Sequence, residues 1–263
     1  MVNEKIILVS KRTISLLLII SIFQIFSCAT NNTRLNKDEK ARLLKNMGNS
    51  LFYAGKPRDA LPYLLKAEKI DPLNPDIQRE LALVYREIKQ YDLAFVHFKE
   101  AIKLKPDFSE AYNDMGVLYS LQGKVDEALE CFNKAVKNIL YRTPHFAYHN
   151  MGLVYFKMKD YSRAIEFYKK ALSVSPGYVE AYFGIAEIYE LLGENEKAIL
   201  TYDQIKKQAP ESLVPYLAQA ELYRKTGQID KSIDNLNYII GIDPRSQVAR
   251  EAIKLLEEIQ SSR

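Results

Sequence analysis

Small residues return at nearly constant intervals along most of this chain, and this periodicity constrains the fold more than any other feature. One series has six members separated by 34, 34, 36, 34 and 34 positions: Gly48, Ala82, Gly116, Gly152, Ala186 and Ala220. A second series lies twelve positions further on: Ala60, Ala94, Ala128, Ala164, Ala198 and Ser232. A fixed period of this length predicts a solenoid of stacked repeats rather than a globular enzyme domain.

Each repeat predicts a pair of helices. In residues 109–142 the first apolar face has the spacing i, i+3, i+4, i+7 of one side of a helix. It consists of Tyr112, Met115, Gly116 and Tyr119. Gly123 then ends the first helix, and a second apolar face follows at Ala128, Leu129, Phe132, Ala135 and Val136. Prolines stop the second helix in five repeats, at Pro72, Pro106, Pro176, Pro210 and Pro244.

The small residues would lie where the two helices of a pair cross, because bulk at that point would push the backbones apart. This pattern of small residues, tyrosines and prolines resembles the tetratricopeptide repeat. The resemblance implies an all-α fold, namely a right-handed α-solenoid of six tetratricopeptide helix pairs. The apolar face of Val248, Ala252, Leu255, Leu256 and Ile259 predicts a C-terminal capping helix, so that 247–263 form a capping helix and tail. The six pairs span 41–74, 75–108, 109–142, 145–178, 179–212 and 213–246.

The amino terminus has the pattern of a secretory signal. Basic residues precede an apolar run over 13–26, which is shorter than the roughly 20 residues of a membrane-spanning helix. The run ends in Ile25-Phe26-Ser27-Cys28, which resembles a bacterial lipobox. We therefore expect residues 1–27 to be removed and Cys28 to carry a covalent lipid, with 28–40 as a flexible tether. An uncleaved anchor, or a plain signal with a chance cysteine, remains the alternative.

The cellular location follows from the same resemblance. Ala29 rather than an aspartate follows Cys28, which by similarity to Gram-negative lipoproteins favours the outer membrane, on its periplasmic face. The whole chain has a net charge of +4, about half of it in the predicted signal, so nothing indicates a nucleic-acid partner.

Catalytic motifs are missing from the sequence. His145 and His149 are four residues apart, but no zinc-protease glutamate or further ligand accompanies them, so we expect no metal site. No phosphate-binding glycine loop or nucleophile elbow is present. Cys131 is interpreted as a small packing residue. We predict no enzymatic activity, no small-molecule substrate and no cofactor, with the lipid on Cys28 as the one added group.

A partner-binding groove is the functional site that the tetratricopeptide resemblance implies. In that family the first helix of each pair lines the groove, which would here be basic at one end, apolar in the middle and acidic near the other end. Periodicity leaves open whether each side chain contacts a partner or a neighbouring helix. The candidate residues are Leu83, Val117, Leu121, Phe146, His149, Leu153, Phe156, Phe183, Glu187 and Glu190.

The one interval of 36 residues, between Gly116 and Gly152, indicates which class of partner to expect. It contains Asn138-Ile-Leu-Tyr-Arg-Thr-Pro144, with Leu140 where the other repeats carry proline. Together with the lipobox and the six repeats, this stretch resembles the type IV pilus biogenesis lipoproteins, or pilotins. That resemblance implies a protein partner, a secretin subunit, brought to the outer membrane. The alternative is another envelope protein as partner, with the chain as a general lipoprotein adaptor for peptidoglycan enzymes or proteases.

Overall fold

The computed structural model describes residues 36–261, and over this range the chain forms thirteen helices and no strand. This confirms the predicted all-α solenoid of helix pairs. The helices are α1 (Lys37–Tyr53), α2 (Pro57–Ile70), α3 (Pro75–Glu87), α4 (Tyr91–Leu104), α5 (Ser109–Leu121), α6 (Val125–Lys137), α7 (Pro144–Lys157), α8 (Tyr161–Val174), α9 (Val179–Leu191), α10 (Asn195–Gln208), α11 (Val214–Lys225), α12 (Ile229–Ile242) and α13 (Gln247–Ser261).

The described chain divides into two compact units, 36–80 and 81–261. In the first unit, α1 packs along α2, and Gly48 and Ala60 lie at their crossing. A Cβ atom added to Gly48 would come within 2.7 Å of Leu64 Cγ and 3.3 Å of the Ala60 carbonyl oxygen. The predicted role of the small residues is therefore visible already in the first pair.

In the second unit, each helix from α4 to α12 packs against the next helix in the chain. The first helices of successive pairs also contact one another directly, α5 with α7 and α7 with α9. Gly116 illustrates why small residues are required, because a Cβ there would come within 2.7 Å of the Phe132 ring and 3.1 Å of the Ala128 carbonyl oxygen. Gly123 ends α5 with φ at 73°, as its position predicted.

The Tyr168 ring in α8 fills a slot between α7 and α9 that two glycines keep open. A Cβ on Gly152 would come within 2.5 Å of one edge of this ring. A Cβ on Gly184 would come within 2.6 Å of the other edge and 3.1 Å of the hydroxyl oxygen. Tyr168 is almost completely buried, so its ring has little freedom to move aside. Gly184 lies outside both small-residue series and was not predicted to matter.

Helix α13 covers the end of the last pair. Its apolar face buries Ala249, Ala252, Leu255 and Ile259 against Leu236 and Ile239 of α12 and Ala220 of α11. This is the arrangement that the sequence predicted for a capping helix, which an array needs where no further pair can cover its apolar side.

The predicted tether is shorter than expected at its carboxyl end. Helix α1 begins at Lys37 rather than at 41, because Asn36 and Glu39 form a capping box that satisfies backbone groups of the first turn. The predicted signal, Cys28 and the rest of the tether to position 35 lie outside the described residues. Over 36–261, no helix combines the length and the apolar character that crossing a membrane requires.

Candidate functional site

The first helices of the pairs in 81–261 carry exposed side chains, which together we call the first-helix face. It comprises the accessible side chains of α5, α7, α9 and α11. Helix α7 is held beside α5 by a hydrogen bond in which Asn150 Nδ2 donates to Asn113 Oδ1 over 2.9 Å. Bonds of this kind fix the spacing between neighbouring helices, so the face has a defined geometry.

One half of the first-helix face is apolar. Leu121 is 58% exposed, Phe146 43% and Leu153 38%, although each belongs to a helix whose opposite side is buried in the core. Leu191 continues the row on α9 and is also more than half exposed. Exposed apolar side chains on neighbouring first helices make this half a candidate contact surface for another macromolecule.

Aromatic rings pack around Phe146, one of the exposed residues of this apolar half. Tyr178, at the start of α9, packs edge-on against Phe146 at a centroid distance of 5.6 Å and against His149 at 5.3 Å. His145 lies 4.2 Å from the Phe146 ring and 5.0 Å from the Tyr178 ring. The edge-to-face arrangement is favourable for aromatic pairs and holds Phe146 in a fixed orientation at the surface.

This aromatic packing predicts a pH-dependent stability. Burial lowers the pKa of His149 below its usual value near 6.5, with Glu180 opposing the shift and His145 adding to it. The unfolded chain therefore takes up a proton at this site before the folded chain does, and stability falls as the pH decreases below about 6.5. We expect the melting temperature to drop on acidification, and the drop to be smaller in His149→Gln. An equal pH slope in both proteins would contradict this prediction.

The other half of the first-helix face is acidic. Glu187 and Glu221 occupy the same repeat position on α9 and α11, and both side chains are exposed. Partial burial and the nearby carboxylates of Glu190 and Glu251 raise the pKa of Glu221, while Arg224 opposes them. The hydroxyl of Tyr202 donates a hydrogen bond to Glu190 and fixes that carboxylate. Negative charge is thus concentrated beside the apolar half and only partly balanced.

The predicted groove residues differ in how far they are exposed to solvent. Leu121, Phe146, Leu153 and Glu187 are exposed, and His149 and Glu190 are half-buried. The half-buried Val117, Phe156 and Phe183 pack against core clusters of the second unit. Leu83 is only 5% exposed, so its assignment to a partner-binding surface is wrong. Periodicity identifies the apolar face, but how closely the next helix covers it depends on the packing of whole helices.

Sequence reasoning missed one residue of the first-helix face, Glu221, and two residues outside it that act on it, Glu251 and Tyr178. Glu221 follows Glu187 by one period and could have been found by continuing the same repeat position into the sixth pair. Glu251 belongs to the capping helix, which the repeat pattern does not reach. Tyr178 occupies the end of a repeat unit, where periodicity assigns no role, and its contact with Phe146 depends on the turn before α9.

No reactive or metal-binding chemistry accompanies this face. Between residues 36 and 261, no group of three or more histidine, cysteine, aspartate or glutamate side chains is placed to hold a metal ion. Cys131 is buried in α6, and its burial raises the pKa of the thiol to about 11, which keeps it protonated and unreactive at neutral pH. The exposed apolar and acidic side chains suit this face to binding a protein segment by apolar contact and charge.

Comparison with known families agrees with this geometry. Two family models described as tetratricopeptide repeat match residues 107–176 and 155–222, and a third, described as TPR repeat, matches 83–123. Together these matches extend from 83 to 222, which is more than half of the chain.

Among curated proteins, the chain is 26% identical over 143 residues to the type IV pilus assembly protein PilF of Pseudomonas aeruginosa, an alignment covering 54% of this chain and 57% of PilF. It is 32% identical over 124 residues to Hsp70-Hsp90 organizing protein 2 of Arabidopsis thaliana, covering 46% of this chain and 21% of that protein. The chain thus spans a little over half of PilF and about a fifth of the organizing protein.

Solved structures of two pilus proteins share the fold over most of the chain. The structure of Pseudomonas aeruginosa PilF has a TM-score of 0.66 at 22% identity, covering 82% of this chain and 97% of PilF. That of PilW, described as a widely conserved type IV pilus biogenesis factor, has a TM-score of 0.68 at 21% identity, covering 81% of this chain and 98% of PilW. The repeats of this chain are tetratricopeptide repeats, and the chain folds as a tetratricopeptide-repeat solenoid.

Proposed function

We propose that this chain is a protein-binding scaffold of the bacterial cell envelope that assists type IV pilus biogenesis, as a pilotin for secretin subunits. The observation that carries the proposal is the sequence similarity to the pilus assembly protein PilF over 143 residues. The exposed first-helix face gives such a scaffold a surface with which to bind. A role in binding rather than catalysis is consistent with the chemistry of that surface.

The two halves of the face define what kind of segment it would bind. Leu121, Phe146 and Leu153 offer an apolar row, and burying such side chains is the main favourable term in most protein association. Glu187 and Glu221 lie beyond this row and would attract Lys or Arg. We therefore propose a partner segment whose apolar residues are followed by basic ones, bound either as an amphipathic helix or in extended form.

Membrane attachment is the second part of the proposed function. Cys28 would carry the lipid, and the solenoid would follow it after a tether that ends at Asn36, where α1 is capped. With Ala29 after the modified cysteine, we propose the periplasmic face of the outer membrane as the location. A scaffold held there could hold a secretin subunit close to the membrane in which it assembles.

Removal of the gene from a piliated host tests the role. We expect loss of detergent-resistant secretin multimers and of twitching motility, restored by the intact gene. Multimers that persist at normal levels without this protein would overturn the pilotin role and favour the adaptor for peptidoglycan enzymes or proteases. Co-purification of envelope proteins with the full chain would then identify that other partner.

Charge reversal tests the proposed face. Glu187→Lys with Glu221→Lys should weaken capture of the host's secretin at least tenfold, because opposed basic groups would replace complementary ones. Glu196→Lys provides the control, since Glu196 is an exposed residue of the second helix α10, outside the face. Capture is measured by binding purified secretin subunits to the immobilised full chain. Equal losses in both variants would indicate that the face does not select the partner.

A further inference from the structure

The 36-residue step produces an exposed aliphatic tip in the loop between α6 and α7. Ile139 is 95% exposed and Leu140 77%, whereas the next residue, Tyr141, is buried in the core. The two-residue turn that follows α4 instead holds Pro106 and Asp107. Two adjacent aliphatic side chains directed at solvent contribute little to the packing of this unit, and they are available for a contact outside the described chain.

This tip is held in place by specific contacts. Asn138 Nδ2 donates to the carbonyl oxygen of Asp107 in the preceding loop over 2.9 Å. Asn138 Oδ1 accepts from the Leu140 amide at 2.9 Å, and its carbonyl oxygen accepts from the Tyr141 amide at 3.0 Å. The buried Tyr141 ring anchors the far side. Little conformational entropy is therefore lost when the tip makes a contact, and the backbone amides of Leu140 and the adjacent Tyr141 are already bonded within the loop.

Basic residues accompany the aliphatic pair. Lys137 ends α6 just before the tip, and Arg142 follows it, and both side chains are exposed. Lys105 lies in the loop to which Asn138 is bonded, with its ammonium 4.5 Å from the Phe108 ring. Asp107 contributes one opposing charge. The surroundings of the tip are therefore net positive.

We propose that this tip, Ile139 and Leu140 with Lys137, Arg142 and Lys105, docks onto an anionic lipid surface as a second, non-covalent membrane contact. Aliphatic side chains next to Lys and Arg match the boundary between acyl chains and anionic headgroups. A protruding tip suits a deformable bilayer, which needs no matching pocket. Backbone amides that are bonded within the loop can enter an apolar phase without losing their partners.

This contact is distinct from the proposed capture of a secretin and does not require it. It is weak alone, because two aliphatic residues and three basic ones give only reversible attachment. A lipid on Cys28 would raise the local concentration of the tip at the membrane and make the contact persistent. The edge of unit 81–261 that carries this loop would then rest on the membrane.

Site-specific fluorescence in reconstituted membranes tests the proposal. The full chain is reconstituted into vesicles containing phosphatidylglycerol or only phosphatidylcholine, with an environment-sensitive label on Ile139→Cys. The control label is on Gln122→Cys, an exposed position in the α5–α6 turn, at the other end of the helix pair. Parent protein treated with the same reagent gives the background from Cys28 and Cys131.

We expect a lipid-borne quencher to quench the label at 139 in phosphatidylglycerol vesicles but not the label at 122. Lys137→Glu with Arg142→Glu should reduce this quenching, since each basic residue near such a surface contributes about fivefold to partitioning. Equal access of a water-soluble quencher to both labels would overturn the proposal. A shielded label at 139 that appears only after a purified envelope protein is added would overturn it in favour of a protein partner.

Discussion

Gly184→Val should lower the free energy of unfolding by about 2 kcal/mol, the largest stability effect among the variants that we propose. A Cβ at 184 would lie 2.6 Å from the buried Tyr168 ring, so either the ring or helix α9 must move. Overpacking of this kind costs about 1–3 kcal/mol, which exceeds the few tenths gained when valine replaces glycine in a helix. Denaturant unfolding followed by circular dichroism measures the difference.

Two further variants test whether contact with the Tyr168 ring causes the expected loss of stability. Gly241→Val places the same side chain on α12, where a Cβ meets nothing within 4 Å, and should change stability by less than about 0.5 kcal/mol. Tyr168→Leu introduces the residue found at the same repeat position in the first pair, Leu64. In this background Gly184→Val should cost clearly less, because residues in contact are not additive. Additive costs would show that the strain arises elsewhere.

Cys28→Ala should abolish acylation and remove the chain from the outer-membrane fraction, the largest effect on location that we expect. Each buried methylene contributes about 0.8 kcal/mol to membrane attachment, and a single acyl chain gives only reversible binding. A cysteine that bears several acyl chains would therefore account for stable attachment of the whole chain. Metabolic labelling with an alkyne fatty acid, followed by separation of inner and outer membranes, gives both readouts.

Cys131→Ala serves as the matched control for this experiment. Cys131 is buried within α6 and should neither accept the fatty-acid label nor affect location. If Cys28→Ala still incorporates the label, or remains in the outer membrane at the level of the parent, lipidation at Cys28 is refuted. That result would leave the proposed binding by the first-helix face unaffected, because binding depends on the repeats rather than on the lipid.

The helices could be predicted closely because the forces that define them are local and repeated. Small residues at 34-residue intervals imply helix crossings, and the observed helices begin and end near the predicted units. The start of α1 was misjudged because Lys37–Lys40 have no apolar periodicity, and their helix depends on the Asn36–Glu39 capping box instead. The importance of Gly184 was not predicted, because a glycine is needed there only to make room for the large Tyr168 ring of another helix. The repeat pattern contains no information about that contact.

The sequence could predict which helices form the functional face, but not which of their side chains neighbouring helices cover. The repeat position that placed Leu153 and Glu187 at the surface also contains Leu83, which is buried. The difference depends on how closely neighbouring helices pack around each position, and this is a property of the assembled unit. Glu251 could not be assigned because helix α13 does not follow the repeat pattern.

The position of Glu251 has a consequence for how such an array can change over evolutionary time. Repeat proteins commonly lengthen by duplicating a unit, and a new pair inserted between α12 and α13 would still be covered by the apolar side of α13. The same insertion would carry Glu251 one unit away from Glu190 and Glu221, whose charges now act together. Selection for the acidic half of the surface would therefore oppose any change in the number of units at this end.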